Sequence, residues 1–109
     1  MVAQASALRT AGTGSAKKRF LFRRDWLPAP AAYYRAQGLQ LRGSGMWRSA
    51  CCPFHDDRHP SLRVRIDCGA FRCMACGARG RDVLAFHRRR TGLGFIDAAT
   101  ALGAYEVPT

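Results

Sequence analysis

Leu62-Arg63-Val64-Arg65-Ile66 alternates strictly between apolar and charged positions. A period of two marks a strand with one buried face. Asp67-Cys68-Gly69-Ala70 then leads into Phe71-Arg72-Cys73. A two-residue turn at Cys68-Gly69 predicts a hairpin that pairs Ile66 with Phe71, Arg65 with Arg72 and Val64 with Cys73. In that register the apolar groups and a cysteine share one face, and Arg63, Arg65 and Arg72 share the other. Like charges directly opposite one another are destabilising. An Arg65–Arg72 pair therefore favours an anion above it; the alternative is two long side chains splayed into water. Upstream, Leu39-Gln40-Leu41-Arg42 alternates over a shorter stretch. Gly43-Ser44-Gly45 reads as a turn, and Met46 to Cys51 as the returning strand.

The helical signals flank these strands. Pro30 suits a first helical turn, Ala31 to Gln37 follows with Tyr33 and Tyr34, and Gly38 ends the run. Asp82 is a good N-cap for a helix from Val83 to Arg90. Arg88, Arg89 and Arg90 then complement the negative C-terminal end of its dipole, which explains the triplet as well as a nucleic acid would. Phe95, Ala98, Ala99 and Leu102 stand at i, i+3, i+4 and i+7 and predict an amphipathic helix ended by Gly103. The pattern gives a small α+β fold over residues 25–105, with an antiparallel sheet and flanking short helices. Residues 1–24 hold few apolar side chains to offset the cost of ordering and are expected to be a flexible basic arm. Residues 106–109 are a tail.

Composition adds the partner. The chain has 109 residues, with 18 Lys+Arg against 7 Asp+Glu, a net charge of +11. That is one domain at most, and its charge suits an anionic partner. Residues 1–50 hold nine basic side chains against Asp25 alone, so +8 of the charge lies there. No run of 18 apolar residues exists, so neither a transmembrane helix nor a membrane partner is expected. The leader is not a secretory signal, because its basic cluster follows the small residues; an organelle transit peptide is the alternative. The expected compartment is the cytoplasm, where thiols stay reduced. Five cysteines, an odd count, then point to metal before disulfides.

Cys52-Pro53-Phe54-His55 is a C-x2-H pair and Cys73-Met74-Ala75-Cys76 a C-x2-C pair, with 17 residues between His55 and Cys73. Two such pairs are the usual way to build a tetrahedral zinc site. Two intervening residues let a tight knuckle aim both donors at one ion, and Gly77 suits a turn whose N–H groups point back at thiolate sulfur. Three thiolates and an imidazole close the shell, which makes a structural site with no open position. Cys51 competes with Cys52 but demands a C-x3-H loop. Cys68 reads as a plain thiol, and His59 and His87 as surface or packing residues.

Cys52-Pro53-Phe54-His55-Asp56-Asp57-Arg58-His59-Pro60-Ser61-Leu62, then Phe71-Arg72-Cys73-Met74-Ala75-Cys76-Gly77-Ala78, then Gly80 and Asp82-Val83-Leu84-Ala85-Phe86, strongly resemble the N-terminal zinc-binding (CHC-type zinc finger) domain of DnaG-type bacterial DNA primases. The resemblance covers about residues 27–104. It implies a zinc ribbon with one structural Zn2+ held by Cys52, His55, Cys73 and Cys76. It implies a module that contacts single-stranded template DNA during primer synthesis in DNA replication. On that analogy Arg58, Arg63, Arg65 and Arg72 lie on the DNA face, Arg48 and Arg42 extend it, and Trp47 is the candidate stacking aromatic. The chain departs from the family where Met74 replaces an aromatic often found in the second knuckle, where Ala75 replaces the usual Gly, and at His59. The acids are scattered, so a magnesium-holding cluster is not expected. The expectation is a non-catalytic module that works with a separate primase catalytic subunit or helicase. The competing reading is a protein-interaction or regulatory ribbon of a plasmid or phage system.

Overall fold

The computed structural model describes residues 21–106. Residues 1–20 of the expected arm and residues 107–109 of the expected tail lie outside the described residues. The described chain forms two compact units, residues 28–98 and a smaller one from residues up to 27 and from 99 onward.

The larger unit begins with helix α1 (Pro30–Ala36), opened by its proline and stopped at Gly38, whose φ is +87°. Four strands follow as β1 (Trp47–Ala50), β2 (Leu62–Arg65), β3 (Phe71–Cys73) and β4 (Arg79–Gly80). They pair antiparallel in chain order as one sheet. Helix α2 (Val83–Thr91) comes next, then α3 (Phe95–Ala101), which runs into the second unit. Asp82 caps α2 by accepting from the Ala85 N–H at 2.9 Å, and Gly92 closes it with a φ of +79°.

The central hairpin forms in a different register from the one expected. Leu62 pairs with Cys73, Arg63 with Arg72 and Val64 with Phe71. The connection is a four-residue loop, Ile66–Gly69, closed by the Arg65 N–H on Ala70 O and the Gly69 N–H on Arg65 O, both at 2.8 Å. Gly69 takes a φ of +85° there, and a Cβ on it would stand 2.9 Å from Val83 Cγ1. The longer loop slides the pairing by two residues. Because side chains alternate with a period of two, a slip of two preserves both faces. The like-charged cross-strand pair is therefore Arg63–Arg72 and not Arg65–Arg72. The first hairpin is shorter than its pattern suggests: only Arg42 bridges Ser49, and Leu39 to Leu41 form no strand.

The inner face presents Ala50, Leu62, Val64, Phe71 and Cys73, all buried. Phe86 of α2 is the hub over this face and is fully buried. Tyr34, Phe71 and Phe54 set their rings 4.9, 5.1 and 5.0 Å from it. The Tyr34 and Phe71 pairs are edge-to-face, a geometry that adds to the area they bury, and Phe54 is tilted. Tyr34 donates its hydroxyl to Gly69 O at 2.5 Å, which ties α1 to the hairpin loop. Gly80 has no room for a side chain: a Cβ would meet Phe71 Cε1 and Ala85 Cβ at 2.6 Å.

In the smaller unit Phe22 bridges Tyr105, and the Arg23 N–H donates to Ala104 O at 2.7 Å. Arg23 also lies over the Trp26 ring and pairs with Asp25 and Glu106. A 3-10 turn covers Arg24–Trp26. Thus, of the last residues of the expected arm, Leu21, Phe22 and Arg23 pair with Glu106, Tyr105 and Ala104, and Arg24 opens the 3-10 turn.

Candidate metal centre and arginine face

Two knuckles meet at one end of the sheet. The first, Cys52–His55, leaves β1 directly; the second, Cys73–Cys76, leaves β3. The β1–β2–β3 pairing sets Ala50 beside Leu62 and Leu62 beside Cys73, so both knuckles start from the same row of the sheet. Phe54, between the donors of the first knuckle, packs on Phe86, and the Arg89 guanidinium lies over its ring at 5.3 Å. The aromatic core thereby orients the knuckle.

The donor atoms of Cys52, His55, Cys73 and Cys76 all lie within 4.8 Å of one another. Cys52 Sγ and Cys76 Sγ are 3.9 Å apart, and His55 Nε2 and Cys73 Sγ 3.2 Å. A tetrahedral zinc at ordinary bond lengths sets its sulfurs about 3.8 Å apart and a sulfur and nitrogen about 3.5 Å apart. The cluster fits such an ion. Cys51 and Cys68 are exposed and stand outside it.

Backbone donors prepare the sulfurs. The Phe54 N–H points at Cys52 Sγ, and the Ala75 and Cys76 N–H groups point at Cys73 Sγ, each at 3.4 Å. Burial pushes the Cys52 thiol up to about 12, with the Phe54 N–H opposing it. Burial also raises Cys73, but the Cys76 and Ala75 N–H groups and the His55 ring outweigh it and bring that thiol to about 6. A bound dication deprotonates coordinating thiols outright. His55 is raised, chiefly by its contact with Cys73. Asp57 staples the loop. Its carboxylate accepts from the Cys52 N–H at 2.8 Å, the Ser61 N–H at 3.1 Å and the Ser61 hydroxyl at 3.0 Å. The Cys52 N–H above all holds that carboxyl at about 2.

The other sheet face is a file of cations. Cross-strand partners share a face, and Arg63 faces Arg72, which faces Arg79. Arg65 lies on the same face opposite Trp47. It is compensated by Asp67 at 2.8 Å. Among the described residues no salt bridge reaches Arg63, Arg72 or Arg79. Arg48 is set apart: it pairs with Val64, on the opposite face, and donates Nε–H to Gly45 O at 2.9 Å. Arg58 is exposed in the loop between the first knuckle and β2, and Arg42 is exposed beside the first turn. Arg79 went unremarked in the sequence because β4 is only two residues long and has no periodicity to find. Its signal is positional, since the chain must turn back along β3 after the second knuckle.

An antiparallel ribbon with a Cys3His cluster at one end and helices on one face is a zinc ribbon, holding one structural zinc. Its sequence matches the family model described as CHC2 zinc finger over residues 35–107. The chain belongs to that family, the N-terminal zinc domain of DnaG-type primases. It is 36% identical over 74 residues to the Gene 58 protein of Mycobacterium phage D29, covering 68% of this chain and 47% of that protein. It is 40% identical over 65 residues to the DNA primase of Mycolicibacterium smegmatis, covering 59% of this chain and 10% of the primase. The crystal structure of the Aquifex aeolicus primase zinc-binding and RNA polymerase domains superposes with a TM-score of 0.57 at 28% identity, over 68% of this chain and 18% of that one. The chain thus spans about half of the phage protein and about a tenth of the bacterial primase. Among the described residues no helix is long and apolar enough to cross a membrane.

Proposed function

We propose that this chain is a template-reading module: Cys52, His55, Cys73 and Cys76 hold one structural zinc, and the outer sheet face binds single-stranded DNA. The observation that carries the reading is the file Arg63–Arg72–Arg79 across three adjacent strands. Like charges held directly opposite one another cost stability unless an anion lies above them, and a phosphate backbone supplies anions at regular spacing. Zinc fixes the knuckles that flank β2 and β3, so the arginines are presented on a rigid surface. Arg58 and Trp47 extend the same surface. Arg48, on the opposite face, and Arg42, beside the first turn, add only to the general field. The basic residues of segment 1–24 add to that field too.

The module acts in primer synthesis during DNA replication, in the cytoplasm. The polymerising chemistry belongs to a separate catalytic protein, to which, or to a helicase, the module is coupled. The test is an anisotropy titration of zinc-loaded protein with single- and double-stranded oligonucleotides over a salt series. Single-strand affinity should fall by about 0.7 log unit per log unit of salt for each phosphate neutralised. Combined replacement of Arg63, Arg65 and Arg72 by Ala should weaken binding and flatten that slope. A triple variant that binds as the parent does refutes the sheet-face model, and a parent protein that binds no single strand leaves the ribbon as a protein-interaction module. Cys73→Ser should lose its zinc; stoichiometric metal in that variant refutes the ligand set.

A further inference from the structure

A hollow of about 230 Å3 opens on the arginine face, lined by Trp47, Arg63, Arg72 and Met74. It runs across three strands. Trp47 stands on β1, Arg63 on β2, and Arg72 on β3, with Met74 two residues further along. The tryptophan is 46% exposed and the methionine 63%. Two large apolar side chains held in water on a strongly basic face contribute little to folding, since the core lies on the other side of the sheet. The volume is below the roughly 300–1,000 Å3 of a drug-sized ligand site, which suits one ring system and not a folded chain.

Building on the DNA-binding reading above, we infer that this hollow seats a single unstacked nucleobase between Trp47 and Met74, with the phosphates on either side of that nucleotide held by Arg63 and Arg72. Every base has a π face, so an indole platform accepts any of them. A thioether side chain packs well against a ring and adapts to its size. The arginines supply the second half of the site. They oppose each other directly across the hairpin, whereas their neighbour Arg65 already has Asp67. An acidic peptide satisfies the guanidiniums but leaves both apolar walls wet. A planar ring carried between phosphates satisfies all four residues. In a duplex the base faces are buried in the stack, so the seat selects for single strands, which charge alone does not do.

The experiment uses the full zinc-loaded chain and the shortest single-stranded oligonucleotide that binds at full affinity, with one abasic residue placed at each position in turn. One position should be sensitive, losing about tenfold in affinity, the scale of a lost base–aromatic stack. Trp47→Ala should lose about tenfold on the intact strand and abolish that positional sensitivity. Trp47→Phe should keep most of both. Neither substitution removes a charge, so the salt slope should stay that of the parent. Zinc content and cooperative unfolding of each variant report that the ribbon is intact. Salt-dependent binding that ignores both the abasic residue and Trp47→Ala overturns the seat and leaves the DNA-binding reading standing. Absence of single-strand binding by the parent protein overturns both. A glutamate-rich peptide that competes as well as an oligonucleotide of equal charge assigns the hollow to a protein partner and also overturns the seat.

Discussion

Single residues carry constraints that their neighbours in sequence do not reveal. Gly80 is extended backbone, yet Phe71 and Ala85 fill the space a Cβ needs. Gly80→Ala should therefore cost about 1–3 kcal/mol through overpacking, read as a lower midpoint in denaturant at unchanged slope. His87 is a second case. Burial raises the Tyr33 hydroxyl to about 12, so it stays protonated and can donate to His87 Nδ1 at 2.8 Å. Nδ1 accepts only when the ring is neutral, and burial lowers the His87 pKa in the same sense. The unfolded chain then binds the proton more readily than the fold. Stability from this site is full above the ordinary histidine value of about 6.5 and is lost as pH falls through it towards the lower folded value. His87→Gln keeps an acceptor for Tyr33 and should shrink the loss of thermal midpoint between about pH 7.5 and about pH 5.5. An unchanged loss would place that pH dependence on other groups.

At the scale of elements, local rules hold where the element is bounded by its own chemistry. Both the cap of α2 and its stop stand where Asp82 and Gly92 put them. Asp82→Ala should cost about 0.5–2 kcal/mol, and Asp82→Asn, which keeps an acceptor for the Ala85 N–H, should recover most of it; equal losses in the two variants would show that the cap is not what Asp82 contributes. The hairpin differs, because the turn and the register are set together. The strand pattern marks which residues face inward but is blind to a slip of two. What selects the longer loop is remote in sequence: Gly69 sits against Val83, and its carbonyl takes the Tyr34 hydroxyl.

For the whole molecule, the sheet rim and the metal are one structure. The four donors come from two knuckles that meet through their own ligand atoms and are carried on adjacent parts of one sheet, and the apolar core around them is small. Below roughly 70–80 residues a core rarely suffices without a staple. Chelation of zinc should therefore abolish cooperative unfolding, followed by circular dichroism on heating, and added zinc should restore it. A chelated protein with an unchanged transition would show that the aromatic core holds the fold unaided.

The zinc site was legible in the sequence because its information is local. Ligand type, the two-residue spacings and the Pro53 and Gly77 turns all lie within a few residues of the donors. Helix boundaries were legible for the same reason. The segregation of arginine from apolar side chains followed from a period of two alone. The tertiary structure decided what depends on distant partners. It decided which arginines oppose each other, since loop length sets register. It brought Arg79 into the file and set Arg48 outside it, since strand pairing determines the face. It made Phe86 the hub that aims the first knuckle. It also set Trp47 and Met74 on either side of two uncompensated cations, a juxtaposition of residues 27 positions apart that only the packed sheet creates.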